Sequence, residues 1–374
     1  MSLEFRGRKI TRRTFARQGS LAVAAGVIAP LSLQGMKPAP KERLAMFQED
    51  SARGVICRIC PNECNPKEGE LSDCRNRVVR KSKLYTMAYG NPCAVNIDPV
   101  EKKPLYHFLP GSTAFSIATA GCNLACLNCQ NWTISQTSPD KTRNFDLPPE
   151  DVVANAVSGN CRSIAYTYSE PVTFYEYVYE TSKLARTAGI KNIMHSNGYI
   201  NREPLRELCR YIDGVNIDLK SFSDSTYLKL SGGKLQPVLD ALKTYRDEGV
   251  WLEITNLVVP GWTDKPDEIR AMCRWLAENG FTETPLHFSR FQPLYKLEHL
   301  PPTPAGILDT AADIAHEEGL KYIYIGNLPG AGAEDTVCPS CKQKVIERSG
   351  YRIVADRLKN GKCSCGATVP GIWS

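Results

Sequence analysis

Cys122-Asn-Leu-Ala-Cys126-Leu-Asn-Cys129 decides how this chain is read, because three thiols at CxxxCxxC spacing follow an apolar run, Ala114-Phe-Ser-Ile-Ala-Thr-Ala-Gly121. Four thiolates close the coordination of a cubane iron–sulfur cluster, whereas three leave one iron open. An open iron can bind and activate a molecule, while a fully ligated cluster mainly passes electrons. Gly121 and the asparagines within the motif let a short loop wrap a cluster, with backbone N–H groups free for sulfide. A zinc knuckle is the competing reading, but knuckles pair CxxC units.

Outward from this loop the pattern is regular. Apolar strand candidates at 114–120, 163–169, 191–196, 214–220, 251–259, 285–291 and 321–325 alternate with helical stretches at 172–188, 203–212, 235–248, 267–279 and 304–318. In 172–188, Val172, Tyr175, Tyr179, Ser182, Leu184 and Ala185 approximate one helical face. Gly189, Gly249, Gly280 and Gly319 follow four of these helices, where a left-handed cap favours glycine. Repeated strand–helix units imply a parallel sheet with right-handed crossovers. Six or seven units predict an α/β fold, a partial, open TIM-type (β/α)6 barrel whose site lies at the C-terminal strand ends.

The chain has 374 residues and a formal charge of +6. Residues 1–17 hold six basic side chains against Glu4, which leaves 40 basic and 39 acidic groups elsewhere. That balance gives no nucleic-acid footprint. Thr11-Arg-Arg-Thr-Phe-Ala-Arg17, followed by the uncharged Leu21–Leu33 stretch, reads as a twin-arginine (Tat) leader over 1–35. The expectation is periplasmic export, with an unused leader on a cytoplasmic protein as the alternative. The apolar stretch is too short for a transmembrane span. A Pro- and charge-rich linker, 36–56, precedes a Cys-rich module at 57–110, the core at 111–330 and a short module at 336–374.

Most of the 15 cysteines fall into clusters, which argues for metal rather than disulfides. Cys57, Cys60, Cys64 and Cys74 supply four thiols in eighteen residues, enough for a second iron–sulfur cluster or a zinc ion. Cys338-Pro-Ser-Cys341 with Cys363-Ser-Cys365 is similar to a zinc ribbon, whose metal would supply the folding energy of so small a module.

CxxxCxxC after a first strand resembles the radical S-adenosylmethionine (SAM) superfamily. Tyr166-Thr-Tyr-Ser-Glu-Pro171, Asn216-Ile-Asp-Leu-Lys220, Val258-Val-Pro-Gly-Trp262 and Tyr322-Ile-Tyr-Ile-Gly-Asn327 resemble its pyruvate formate-lyase-activating members. Asp98-Pro-Val-Glu-Lys-Lys-Pro-Leu-Tyr-His-Phe108 and His287-Phe-Ser-Arg-Phe-Gln292 are most similar to the radical SAM enzyme of the AmmeMemoRadiSam system. The resemblance runs from about Cys57 to the C-terminus. It implies a [4Fe–4S] cluster on Cys122, Cys126 and Cys129, SAM as cofactor, an electron donor, and a protein or small-molecule substrate. The other AmmeMemoRadiSam components are implied as possible partners.

SAM would chelate the open iron through its amino and carboxylate groups, so the chain must supply acceptors and a cation. Ser169 and Glu170 stand where the superfamily has Gly-Gly-Glu, so Glu170 suits the ammonium although both glycines are missing. Lys220 suits the carboxylate, Asp218 can orient it or hold the ribose, and Asn197-Gly198 matches the family's Asn-Gly turn. His287, placed at the end of the sixth strand, is a further candidate for cofactor or substrate contact. Two departures stand out: His195 occupies the place of an acidic residue, and Asn128 that of an aromatic before the third Cys, with Trp132 the nearest ring. The implied activity is reductive cleavage of SAM to a 5′-deoxyadenosyl radical that abstracts hydrogen. A glycyl-radical activase is the narrower variant, and a multi-cluster electron carrier the reading from another class.

Overall fold

The computed structural model describes residues 42–52, 54–328 and 333–374, with the backbone of 2–5 and 8–11. The leader's arginine pair and apolar stretch lie outside the described residues. No helix among the described residues is long and apolar enough to cross a membrane.

Alternating Val-, Ile- and Ala-rich runs and amphipathic stretches fold into one eight-stranded sheet with helices between its strands. Its strands, numbered here in chain order, are β1 (Ala94–Pro99), β2 (Thr113–Ala118), β3 (Ser163–Tyr166), β4 (Lys191–Ser196), β5 (Gly214–Asp218), β6 (Trp251–Val258), β7 (Leu286–Arg290) and β8 (Ile323–Gly326). The spatial order is the chain order. Strands β2 to β8 are parallel, and β1 pairs antiparallel with β2 over Ala94↔Ala118 to Pro99↔Thr113. Seven parallel strands thus carry the open barrel, one more than six units would give, and β1 adds an edge from the Cys-rich segment.

Among the described residues, seven helices of eight or more residues accompany the sheet: α1 (Pro149–Ser158), α2 (Tyr175–Thr187), α3 (Arg202–Cys209), α4 (Asp224–Ser231), α5 (Leu235–Asp247), α6 (Pro266–Glu278) and α7 (Ala305–Glu317). Gly189, Gly249, Gly280 and Gly319 all take positive φ after α2, α5, α6 and α7. The buried face of α2 is wider than the periodic reading and shifted from it: Leu184 is exposed, while Glu176, Tyr177, Val178 and Thr181 are buried. Glu176 tolerates burial because Arg77 meets it with two bonds of 2.9 and 3.0 Å.

A sheet wound without reversal puts all its crossover helices on one face and leaves the other to curl inward. That inner face is polar. Thr255 donates to Asn216 at 2.8 Å and His287 meets Glu253 at 2.7 Å, each pair bridging neighbouring strands.

The N-terminal ends of the strands are plugged by residues 100–111. Phe108 is fully buried against Gly214, where a Cβ would come within 2.7 Å of its ring. Burying one such ring stabilises by about 1.5–3 kcal/mol. Backbone N–H groups of Tyr106 and His107 donate to Glu253 at 2.9 and 2.7 Å. The C-terminal module closes the same end. Its strands Lys344–Ser349 and Arg352–Asp356 pair antiparallel, Arg348 donates to the Tyr106 carbonyl at 2.7 Å, and Leu109 and His107 exchange backbone bonds with Ile372.

Candidate functional site

At the opposite, C-terminal strand ends, the Cys122–Cys129 loop leaves β2 through Gly121. Its φ is +96°, and a Cβ would lie 2.3 Å from Asn76 Oδ1 and 2.5 Å from the Cys74 carbonyl, so only glycine fits. The loop's shape is imposed from several sides. Ala125 and Leu127 N–H groups donate to the Ser231 and Leu230 carbonyls, both at 2.9 Å, so the C-terminal turn of α4 clamps the motif. Asn123 donates to the Tyr199 carbonyl at 2.7 Å, Gln136 to that of Leu124 at 3.1 Å and Lys296 to that of Leu127 at 3.1 Å. Neither α4 nor α1 was expected from periodicity. The signals were present: Ser223 caps α4 ahead of Gly232-Gly233, and α1 opens on Pro149 with Glu150 and Asp151 in its first turn.

Donors surround the thiols. The Leu124 N–H lies 3.4 Å from Cys122 Sγ, the Asn197 carboxamide 3.8 Å from it, and the Ser135 hydroxyl 3.1 Å from Cys129 Sγ. Burial pushes the Cys122 thiol well above its usual range, and Glu170 and the other thiols add to the rise. A bare thiolate is therefore disfavoured here, and a bound cation reverses that preference. Between Cys126 and Cys129, the buried Oδ1 of Asn128 has no hydrogen-bond partner. Three thiols on one clamped loop, N–H···S donors and an orphaned acceptor fit a cluster with a polar ligand on its open iron.

Asp218 ends β5, with Lys220 two residues on. Lys220 Nζ lies 2.9 Å from Asp218 Oδ2, and His195 Nε2 lies 3.1 Å from Oδ1. These side chains are 21%, 28% and 27% exposed, so each keeps a face toward the open end. Burial alone would depress the Lys220 ammonium, but Asp218 outweighs it and holds the group well above its usual range. Burial works on Asp218 in the other direction, and Lys220 and His195 overcome it, leaving the carboxyl ionised. Lys220 also acts electrostatically on Cys126, which puts the cation beside the cluster loop. His195 was read only as a departure, yet it completes this group.

Glu170 is buried and already engaged. Val172 N–H and Ser196 Oγ donate to its Oε1 at 3.1 and 2.7 Å, and Asn197 N–H to its Oε2 at 2.8 Å. Three of about four acceptor positions are taken, so this side chain mainly ties the end of β3 to that of β4. Asn197 bridges Cys122 Sγ and Asn123 Oδ1, and Ser169 donates to the Thr119 carbonyl at 2.6 Å. Trp132 stacks on Tyr295 at 5.1 Å and is 41% exposed.

His287 does not join this group. It is the second residue of β7, near the plugged end, bonded to Glu253 and packed between Tyr106 and Tyr324 at 4.8 and 5.0 Å. A strand's end cannot be told from its start by residue type, which is why sequence placed it at the wrong end. Nearby His107 bonds the Pro370 carbonyl at 2.7 Å and the Tyr324 hydroxyl at 2.6 Å. Burial lowers its pKa to about 4, so it is neutral at pH 7.

In the C-terminal module the sulfurs of Cys338, Cys341, Cys363 and Cys365 all lie within 4.8 Å of one another. Cys338 and Cys365 are 3.7 Å apart, and Cys341 and Cys363 3.6 Å. Bonds of about 2.3 Å to one tetrahedral ion place sulfurs roughly 3.8 Å apart, so this set fits a single metal ion.

Comparison with known proteins now decides the family. A model of the radical SAM superfamily matches residues 116–276. A Methanocaldococcus jannaschii protein described as uncharacterised is 47% identical over 331 residues, covering 87% of this chain and 98% of its own length. The chain belongs to the radical SAM superfamily. The pyruvate formate-lyase 1-activating enzyme of Escherichia coli K12 is 25% identical over 218 residues, 54% of this chain and 89% of that enzyme. Among solved structures, Streptococcus suis SuiB bound to S-adenosylmethionine is 12% identical, covers 61% of this chain and 53% of its own, and has a TM-score of 0.45. Membership implies a [4Fe–4S] cluster and SAM as cofactors.

Proposed function

We propose that the open end of the barrel binds SAM against a [4Fe–4S] cluster on Cys122, Cys126 and Cys129, and that the resulting radical takes hydrogen from a substrate entering there. The observation that carries this reading is Lys220 paired to Asp218 beside Cys126, a charged and half-open group where the cofactor's amino-acid part must sit. When bound, the cluster supplies the electron that breaks the carbon–sulfur bond of SAM and yields a 5′-deoxyadenosyl radical. Lys220 supplies the cation for the SAM carboxylate, with Asp218 fixing its direction and His195 holding Asp218. Asn128 Oδ1 offers an acceptor to the cofactor. Glu170 and Asn197 act as positioning residues that keep the loop after β4 against Cys122. The closed lower end and the α4 clamp exclude water and hold the loop still, which a reactive radical requires.

Similarity to proteins named as activating enzymes supports a narrower reading, in which the hydrogen donor belongs to a partner protein. For the C-terminal four-Cys group, zinc is the metal we infer, on the grounds of sulfur spacing alone.

The reading is tested by anaerobic reconstitution, addition of dithionite and SAM, and chromatographic assay for 5′-deoxyadenosine. Wild type should form it and Cys126→Ala should not, with the C-terminal module still folded in both. Failure of the wild-type protein, in conditions where a known radical SAM enzyme works, would sink the proposal.

A further inference from the structure

The four thiols near the N-terminus are not absorbed by the radical site, yet they lie against it. Cys57, Cys60, Cys64 and Cys74 line one pocket, together with Arg77 and Asn123. Asn123 is the residue after Cys122, so the two Cys sites share a wall. Asn62 donates to the Asn123 carbonyl at 2.9 Å, and Asn123 Oδ1 accepts from Asn197, the residue that also reaches Cys122 Sγ. On the other side, the Cys74 carbonyl is in contact with Gly121. One layer of residues separates the sites.

The three groups of thiols are not gathered alike. Among the described residues, the C-terminal four are the single group of three or more candidate ligands gathered within 4.8 Å. The N-terminal quartet is not gathered in this way, and neither is the Cys122, Cys126 and Cys129 triad. Thiols that share one ion must crowd together, whereas irons and sulfides between them hold cluster ligands apart. The quartet therefore sorts with the cluster triad.

The surroundings agree. The hydroxyl of Ser72 lies 3.1 Å from Cys74 Sγ. Such bonds to sulfur tune a cluster's potential. Arg77, buried and held by Glu176, sets a positive charge beside Cys57 and Cys74.

We propose that Cys57, Cys60, Cys64 and Cys74 hold a second, fully ligated iron–sulfur cluster that passes electrons to the cluster on Cys122, Cys126 and Cys129. Four thiolates leave no iron open, so this centre does not bind SAM. One electron leaves the second cluster and reduces the first by one. That electron then enters the carbon–sulfur bond that breaks, and a low-potential one-electron donor re-reduces the second cluster. The relay rests on the proposed SAM chemistry, but the presence of the cluster does not.

The test uses the full chain, reconstituted anaerobically with iron and sulfide, with dithionite as reductant. The variant Cys122→Ala/Cys126→Ala/Cys129→Ala should retain about half the wild-type iron and a reduced-cluster EPR signal that SAM does not move. In wild type, SAM should shift one of two signals. A triple variant without iron, or with zinc in its place, overturns the second cluster whether or not wild type makes 5′-deoxyadenosine. Cys60→Ala should retain the SAM-shifted signal yet be reduced at least tenfold more slowly in stopped flow. Reduction at the wild-type rate overturns the relay. If Cys60→Ala does not fold, the triple variant still decides whether the cluster exists.

Discussion

The two ends of the barrel are built from the same kinds of side chain and do opposite things. At the closed end, Glu253 is fully buried and accepts from Tyr106 N–H, His107 N–H, Trp251 Nε1 and His287. At the open end, Asp218 accepts from His195 and Lys220, and all three keep about a quarter of their surface free. Both ends thus pair histidine with a carboxylate. The difference lies in unspent valence. A saturated group with no exposure braces the fold, whereas a half-satisfied charged group at a strand's C-terminal end is available to a ligand.

The comparison breaks most visibly at Glu253. Glu253→Ala leaves two buried N–H groups of the plug unmet, at about 1–3 kcal/mol each. The expected result is destabilisation by several kcal/mol, with faster amide exchange at Tyr106 and His107, while the folded fraction binds SAM as before. Unfolding curves and site-resolved hydrogen exchange check the first part, and equilibrium dialysis the second. Normal stability with lost SAM binding would mean that the two ends are not separate.

Much of this architecture was legible in the sequence. The seven parallel strands, five of the helices and the glycines after four of them follow from periodicity and capping, which are local properties. The cluster loop was legible because three thiols at fixed spacing have few other uses. What escaped depended on partners distant in sequence. β1 is a strand only because β2 offers it an edge, and residues 100–111 form a plug only because Glu253 and Gly214 wait inside the barrel. Glu170 looked like a free carboxylate, and only Ser196 and Asn197 show that it is occupied. Likewise, the gathering of the four C-terminal thiols within 4.8 Å is a property of the fold that motif counting cannot reach.

A smaller effect is expected at the open end. Lys220→Met removes the cation beside Cys126 without disturbing a saturated network. Losing one charge-assisted hydrogen bond to a carboxylate costs about 1.5–3 kcal/mol, or roughly tenfold to a hundredfold in SAM affinity. Iron content should stay at the wild-type level. Unchanged affinity would remove Lys220 from the cofactor site and leave the pairing with Asp218 as structure alone.

The smallest effect is expected at His287, and it bears most directly on the contrast between the ends. His287→Gln keeps a donor that can reach Glu253 Oε2, now met by Nε2 of the ring at 2.7 Å. The packing between Tyr106 and Tyr324 changes shape but stays filled. Stability should therefore fall by about 1 kcal/mol, the scale of one modified hydrogen bond, and SAM affinity should stay within about twofold, a change of roughly 0.4 kcal/mol. Lys220→Met and His287→Gln thus form a matched pair, one moving affinity and the other moving only stability. A tenfold loss of SAM affinity in His287→Gln, with iron content and fold intact, would show that the lower network reaches the cofactor. Closure at the plugged end would then be part of catalysis rather than a floor beneath it.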